Sequence, residues 1–205
     1  MIDLYTWTTP NGRKVSVMLE ECGLEYRVHP VNIRAGEQFK PVFVAICPNS
    51  KIPAIVDGSL SLFESGAILF YLAEKTGRFL AGSNPARART LEWLMWQMAN
   101  IGPMMGQANH FANVAEEKIP YAINRYITES ARLLKVMDDR LARVEFLTGD
   151  YSIADIATYP WVAVAFDLIR GAKPEVVGAG ANVARWISGI AARPAVARGM
   201  AVPQV

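Results

Sequence analysis

The stretch TWTTPNGRKVSVMLEECGLEYRV, residues 6–28, decides the fold. With the preceding IDLYT, residues 2–6, it reads as a short strand, a turn and a helix. Pro10, Asn11 and Gly12 supply the turn. In VSVMLEECGL the apolar Val15, Met18 and Leu19 then fall on one helical face, and Gly23 ends the helix. The next piece, EYRVHPVN, alternates Tyr26, Val28 and Pro30 against polar neighbours, as an edge strand does when a proline cuts its pairing short. The result is a β-α-β unit. Its first turn, where a redox fold often carries CxxC, holds Thr8, Thr9, Asn11 and Gly12 and no thiol.

Downstream, EQFKPVFVAI predicts a second helix, although Pro41 fits only if the helix starts there, and CPNSKIP returns an extended chain. IPAIVDGSLSLFE predicts two short strands joined at Asp57-Gly58, a pair that tolerates the positive φ angles of a tight hairpin. ESGAILFYLAEKTG adds a helix. From residue 78 the pattern changes, because GRFLAGSNPARAR is a polar connection bearing Gly and Pro, and the periodicity after it is helical throughout. We therefore expect residues 1–77 to form one domain, 78–85 a linker, and 86–205 an all-helical domain. Its helices are expected at 86–109, 119–143, 152–169 and 182–192, with a short piece after Pro194. Gly102-Pro103 should break or kink the first of them. Trp93, Met95, Trp96 and Met98 read chiefly as core, and Ser152 and Asp155 have the spacing of a reciprocal helix cap.

Composition narrows the function. The 205 residues are 52% apolar, ample for a buried core, and the formal charge of +2 provides no dense cationic field for nucleic acid or an anionic membrane. Cys22, Cys47, His29 and His110 are the only cysteines and histidines, without metal-ligand spacing, so neither a zinc site nor a CxxC redox centre is expected; Cys22 reads as a packed helix residue and Cys47, before Pro48, as partly exposed. No apolar run approaches the ~18 residues of a membrane span, and MIDLYTW lacks the features of a signal peptide. The expected compartment is the cytoplasm.

The order of elements resembles the glutathione transferases across essentially the whole chain. TTPNGRKVSVMLEE, GEQF, CPNSKIPAIVD, SLFESGAILFYLAEKTG, GPMMGQANHF and YSIADIATYPW are similar to the bacterial Nu-class branch, which includes glutathione-dependent disulfide-bond reductases. The resemblance implies a thioredoxin-like N-terminal domain, an all-helical C-terminal glutathione-transferase domain, a homodimer, glutathione as cosubstrate and no metal. It also implies the chemistry: glutathione brings its own thiol and the chain stabilises the thiolate. The acceptor is a small disulfide or, alternatively, an electrophilic carbon; a non-catalytic glutathione-binding interaction protein is a third reading.

A free thiol has a pKa near ~8.5, so donors and a helix N-terminus must favour the anion at neutral pH. Thr9 offers a hydroxyl and Asn11 an amide, with Tyr5 and Thr8 as outside candidates, although Asn11 equally suits helix capping. By resemblance the Ile52-Pro53 bond is expected to be cis and to present the Ile52 main chain to the cysteinyl unit of glutathione, the alternative being an ordinary trans edge proline, with Lys51 near the glycine carboxylate or simply solvated. Ser65, at a helix start, suits the γ-glutamyl carboxylate, and Glu64 its α-ammonium, though both residues also serve as ordinary caps. By resemblance Gln38 and Arg132 contact glutathione; each otherwise reads as a surface residue. Met104, Met105, Asn109, His110 and Phe111 are expected to shape a second-substrate pocket.

Overall fold

Strand β1, Ile2–Thr6, alternates buried and half-buried residues, so Ile2, Leu4 and Thr6 face one side of a sheet and Asp3 and Tyr5 the other. The computed structural model describes all 205 residues, in two compact units: Met1–Gly82 together with Ala191–Val205, and Ser83–Ile190.

In the first unit, β1 leads into α1, Pro10–Cys22, which begins with proline at its first turn and ends at Gly23 in the left-handed region, φ 67°. Strand β2, Tyr26–Pro30, pairs parallel to β1 at one edge. Strands β3, Ala54–Asp57, and β4, Leu60–Phe63, form the expected hairpin, with Gly58 at φ 61°, and β3 runs antiparallel to β1. The sheet order is β2-β1-β3-β4. Helix α3, Ser65–Thr76, follows β4 and ends at Gly77. Ile2, Leu4, Val15, Met18, Leu19, Ile55, Ile68, Leu69 and Leu72 are buried as one apolar layer. A second cluster, Val31, Phe43, Cys47 and Ala54, gathers Tyr5, Ile46, Ile52 and Phe63 around it.

Three expectations for this unit need correction. The segment EQFKPVFVAI is not one helix: Glu37–Phe39 form a 3-10 turn and α2 is the single turn Pro41–Val44. Pro41 has no N–H to continue a helix and holds Lys40 extended at ψ 139°, so the two turns stay separate. Cys47 is fully buried, where partial exposure was expected, and its thiol donates to the Lys51 carbonyl at 3.2 Å. The end of the chain also packs here. Helix α10, Pro194–Met200, lies against α1 so closely that a β-carbon at Gly199 would fall 2.5 Å from Val17 Cα. Ser16 Oγ donates to the Gly199 carbonyl at 2.7 Å, and Arg193 and Arg198 pair with Glu21 and Glu20, each at 2.6 Å.

The second unit is helical. Helix α4, Ala86–Trp96, passes through a π turn at Gln97–Ile101 into α5, Gly102–Asn109, and a second π turn at His110–Val114. Gly102-Pro103 therefore does not break the helix: the wider turn before it absorbs the missing proline N–H. Trp93, Trp96 and Met98 are half-buried and Met95 is 56% exposed, so this stretch is not core. The core comes instead from Leu94 and Ile101 with Leu133, Leu134 and Met137 of α6, Pro120–Leu141, and Ile153, Ile156 and Val162 of α7, Ile153–Ala172. Helix α8, Pro174–Val177, and α9, Ala181–Ala191, complete the unit.

The cap at the start of α7 is present in both directions. Asp155, wholly buried, accepts from Ser152 N–H at 3.1 Å, Leu147 N–H at 2.9 Å and Trp186 Nε1–H at 2.9 Å. Burial pushes its carboxyl up to about 6, against the pull of those donors. Between the ordinary carboxylate range and that value the folded form keeps a proton that the unfolded form has lost, so rising pH favours unfolding. In urea denaturation, stability should fall by about 2–3 kcal/mol between about pH 4 and pH 6 through this one group. Asp155→Asn should be less stable throughout, because an amide cannot accept all these bonds, and should lack that component of the slope.

Candidate functional site

Strand register gathers the candidate residues at one end of the sheet. Tyr5, near the end of β1, lies opposite Ala54, the first residue of β3, and Ala54 lies opposite Phe63, the last of β4. The chain leaving β1 carries Thr9 and Asn11, the chain entering β3 carries Lys51, Ile52 and Pro53, and the chain leaving β4 carries Glu64 and Ser65. β2 ends on the same side, since Thr6 pairs with Pro30, and its onward connection carries Gln38.

Each member has a defined setting. Thr9 is the extended N-cap of α1, φ −123° and ψ 157°, and its hydroxyl oxygen accepts from Gly12 N–H at 3.3 Å. That bond occupies a lone pair and leaves the hydroxyl proton to donate elsewhere. Asn11 is half-buried in the first turn of α1, where the helix dipole is positive. Ile52–Pro53 is cis, as expected, and pairing begins only at Ala54, so the Ile52 main chain stands outside the ladder. Lys51 is exposed. Gln38 is half-buried, and its Oε1 is enclosed without a hydrogen-bond partner. Ser65 is the buried first residue of α3, and exposed Glu64 caps that helix from φ 69°, ψ 111° with no side-chain cap bond. A non-glycine residue with positive φ costs about 1–3 kcal/mol and marks sites whose surroundings hold it there.

Sequence reasoning missed Lys14. It lies on α1, three residues after Asn11, and is 1% exposed. Burial brings its ammonium down to about 7, with Glu64 the opposing influence. The signal was legible: Lys14 stands four residues before Met18, on the apolar stripe of α1.

Arg132 belongs to the other unit. It lies exposed on α6 and makes a two-pronged pair with Glu129 at 2.8 and 2.7 Å. Nearby is a recess of about 370 Å³ whose lining includes Met104, Arg125, Tyr126 and Glu129. Met104 was expected to shape such a pocket; His110 and Phe111 stack edge to face, with Phe111 also parallel to Tyr126 at 5.5 Å. No cluster of three or more His, Cys, Asp or Glu side chains is placed to hold a metal, and no helix is long and apolar enough to cross a membrane.

A family model for the glutathione S-transferase N-terminal domain matches residues 1–74. Disulfide-bond oxidoreductase YfcG of Escherichia coli (strain K12) is 55% identical over 170 residues, which are 79% of this chain and 79% of that protein. The chain belongs to the glutathione S-transferase family. Among solved glutathione transferases, one from Burkholderia graminis with two glutathione molecules bound per subunit superimposes with a TM-score of 0.92, at 43% identity over 99% of this chain and 88% of that one. Another, from Pseudomonas putida with one glutathione disulfide bound per subunit, gives 0.91 at 43% identity over 98% of this chain and 91% of its own. The thioredoxin-like sheet and the helical remainder of this glutathione S-transferase agree with the fold expected from its sequence.

Within this glutathione S-transferase the start of α1 is tightly seated. A β-carbon at Gly12 would collide with Thr6 Oγ1 and fall 2.5 Å from the Trp7 carbonyl oxygen. Gly12→Ala should therefore cost about 1–3 kcal/mol through overpacking. Thr9→Ala, losing only the cap, should cost about 0.5–2 kcal/mol. Urea midpoints of the two variants check both.

Proposed function

We propose that this chain is a glutathione-dependent thiol–disulfide oxidoreductase. The observation that carries the reading is the start of α1: a capped, dipole-bearing helix end with a hydroxyl and an amide but no cysteine, in a chain 55% identical to a disulfide-bond oxidoreductase. Such a turn is built to hold a sulfur anion that arrives with the ligand.

The reaction consumes two glutathiones. Thr9 Oγ–H and the Asn11 amide donate to the first sulfur and, with the helix dipole, favour its thiolate. The anion attacks one sulfur of a small disulfide; the S–S bond breaks and the leaving thiolate takes a proton. A second glutathione thiolate attacks the glutathione sulfur of the mixed disulfide, releasing the second thiol and oxidised glutathione. The relatives crystallised with two glutathiones and with glutathione disulfide hold molecules that this sequence consumes and forms.

We assign the rest of the tripeptide to the residues around this turn. Ile52 main chain pairs with the cysteinyl unit, Ser65 at the head of α3 receives the γ-glutamyl carboxylate, and Glu64 receives the α-ammonium. Lys51 reaches the glycine carboxylate, the enclosed Gln38 Oε1 supplies an unused acceptor, and the family resemblance adds Arg132 as a glutathione contact. Two free cysteines and no disulfide suit the reducing cytoplasm, and the family resemblance extends the proposal to a homodimer.

A hydrogen bond to a charged atom contributes about 1.5–3 kcal/mol. Asn11→Ala should therefore lower kcat/KM for hydroxyethyl disulfide about 10–100-fold while leaving the urea midpoint within about 0.5 kcal/mol. Unchanged turnover would remove Asn11 from its assigned role. A higher rate with a chromogenic aryl halide than with the disulfide would favour conjugation to carbon instead.

A further inference from the structure

On the side of the sheet that carries Asp3 and Tyr5, the register sets His29 of β2 directly beside Tyr5. The two rings stack, centroids 4.6 Å apart and planes 14° from parallel, and Phe43 of α2 approaches Tyr5 at 6.2 Å between ring centres. His29 Nε2 donates to Asp3 at 2.7 Å, and that bond holds the Asp3 carboxyl below the usual carboxylate range. The imidazole is thereby fixed with a proton on Nε2, and in its neutral form Nδ1 is an acceptor with no hydrogen bond of its own. These rings line a recess of about 200 Å³ within the first unit. Buried Phe43 and Val31 and exposed Val42 supply its apolar surface. Its two charges are spent on each other: Lys40 pairs with Glu37 at 2.7 Å, and Glu37 also accepts from Asn32 N–H at 2.8 Å. The main-chain N–H groups of Val31, Lys40 and Phe43 donate to the carbonyls of Thr6, Glu37 and Lys40. Two side-chain groups of the stacked pair stay open to a visitor, the Nδ1 acceptor and the Tyr5 hydroxyl. A cavity of roughly 150 Å³ holds one benzene ring, so this one admits a single substituted ring.

We propose that this recess is a ligand site separate from the turn that holds the glutathione sulfur, and that it takes a small neutral phenol: the ring lies against Phe43, Val31 and Val42, while the hydroxyl donates to His29 Nδ1 and accepts from the Tyr5 hydroxyl. The match is in hydrogen-bond sense. A bare hydrocarbon leaves both polar groups unpaired, and a carboxylate meets an Nδ1 that has no proton to give. Glu37 and Lys40 stand on either side of Gln38 in sequence, so an occupant meets both ends of the turn that carries Gln38.

The test is a titration with para-cresol followed by the methyl NMR signals of Val31 and Val42 and the ring-nitrogen signals of His29. These should move together and saturate. Para-methylanisole, the methyl ether of the same ring, cannot donate and should bind about tenfold more weakly. His29→Phe keeps a ring against Tyr5 and removes the acceptor, so it should bring the cresol down to the affinity of the ether. Val42→Trp, at a position already 73% exposed, should fill the mouth and abolish binding without disturbing the core. Equal affinity of phenol and ether for the wild type overturns the proposal whether or not His29→Phe folds, as does the absence of saturable shifts at these residues. Direct displacement of the cresol by S-methylglutathione also overturns it, because the recess would then belong to the glutathione cradle. Failure of the cresol to bind a protein that still binds S-methylglutathione sinks the phenol site alone and leaves the glutathione reading standing.

Discussion

The row Tyr5–Ala54–Phe63 across three strands is the constraint on which the rest of the first unit depends. A one-residue slip of β3 on β1 would turn Ile55 away from the face it shares with Leu4 and carry Ile52 with it, and a slip of β4 on β3 would do the same to Glu64. Burial of Leu4, Ile55 and the α1–α3 side chains makes such a slip costly. Once the register is set, three chain segments from distant parts of the sequence emerge side by side, and each brings main-chain or side-chain polar groups that the core has no use for. The site is thus a by-product of packing, refined by a few local devices: the Thr9 cap, the cis Ile52–Pro53 bond and the strained Glu64.

Much of this could be read directly from the residues, because the governing interactions are local. Pro10 and Gly23 mark the ends of α1, Asp57-Gly58 marks the hairpin, and the Ser152–Asp155 spacing marks the start of α7. The failures are tertiary. Nothing near Cys47 in sequence says that Val31 and Ala54 will enclose it, and the aromatic run at Trp93 and Trp96 has core spacing yet lies half-exposed. At Gly102-Pro103 the helix does not break, because a π turn supplies geometry that an ideal α-helix lacks. Lys14 was hidden differently. A charge on an apolar stripe reads as a blemish until the fold shows it buried, with Glu64, fifty residues away in sequence, the charge that acts on it.

Two buried ionisable groups show the same physics with opposite signs. Asp155 sits among three N–H donors and serves to fasten a loop, a helix start and Trp186 together, so its shift upward reflects enclosure that the structure tolerates for cohesion. Lys14 shifts downward because the packing around α1 buries it, against the pull of the Glu64 charge. Perturbed groups gather at functional sites and at folding elements alike. What separates these two is company: Asp155 is met from several directions by its own unit, whereas the charge that acts on Lys14 is that of Glu64, just before α3.

The clasp between α1 and α10 bears on how the polypeptide is made. Helix α1 is made well before α10, and the groove along Ser16 and Val17 admits the Gly199 backbone with no room to spare. During synthesis the sheet and its first helix must wait, one flank wet, until the tail arrives to close it. Nascent-chain quality control would therefore see the first unit as unfinished until the whole of the second has been made.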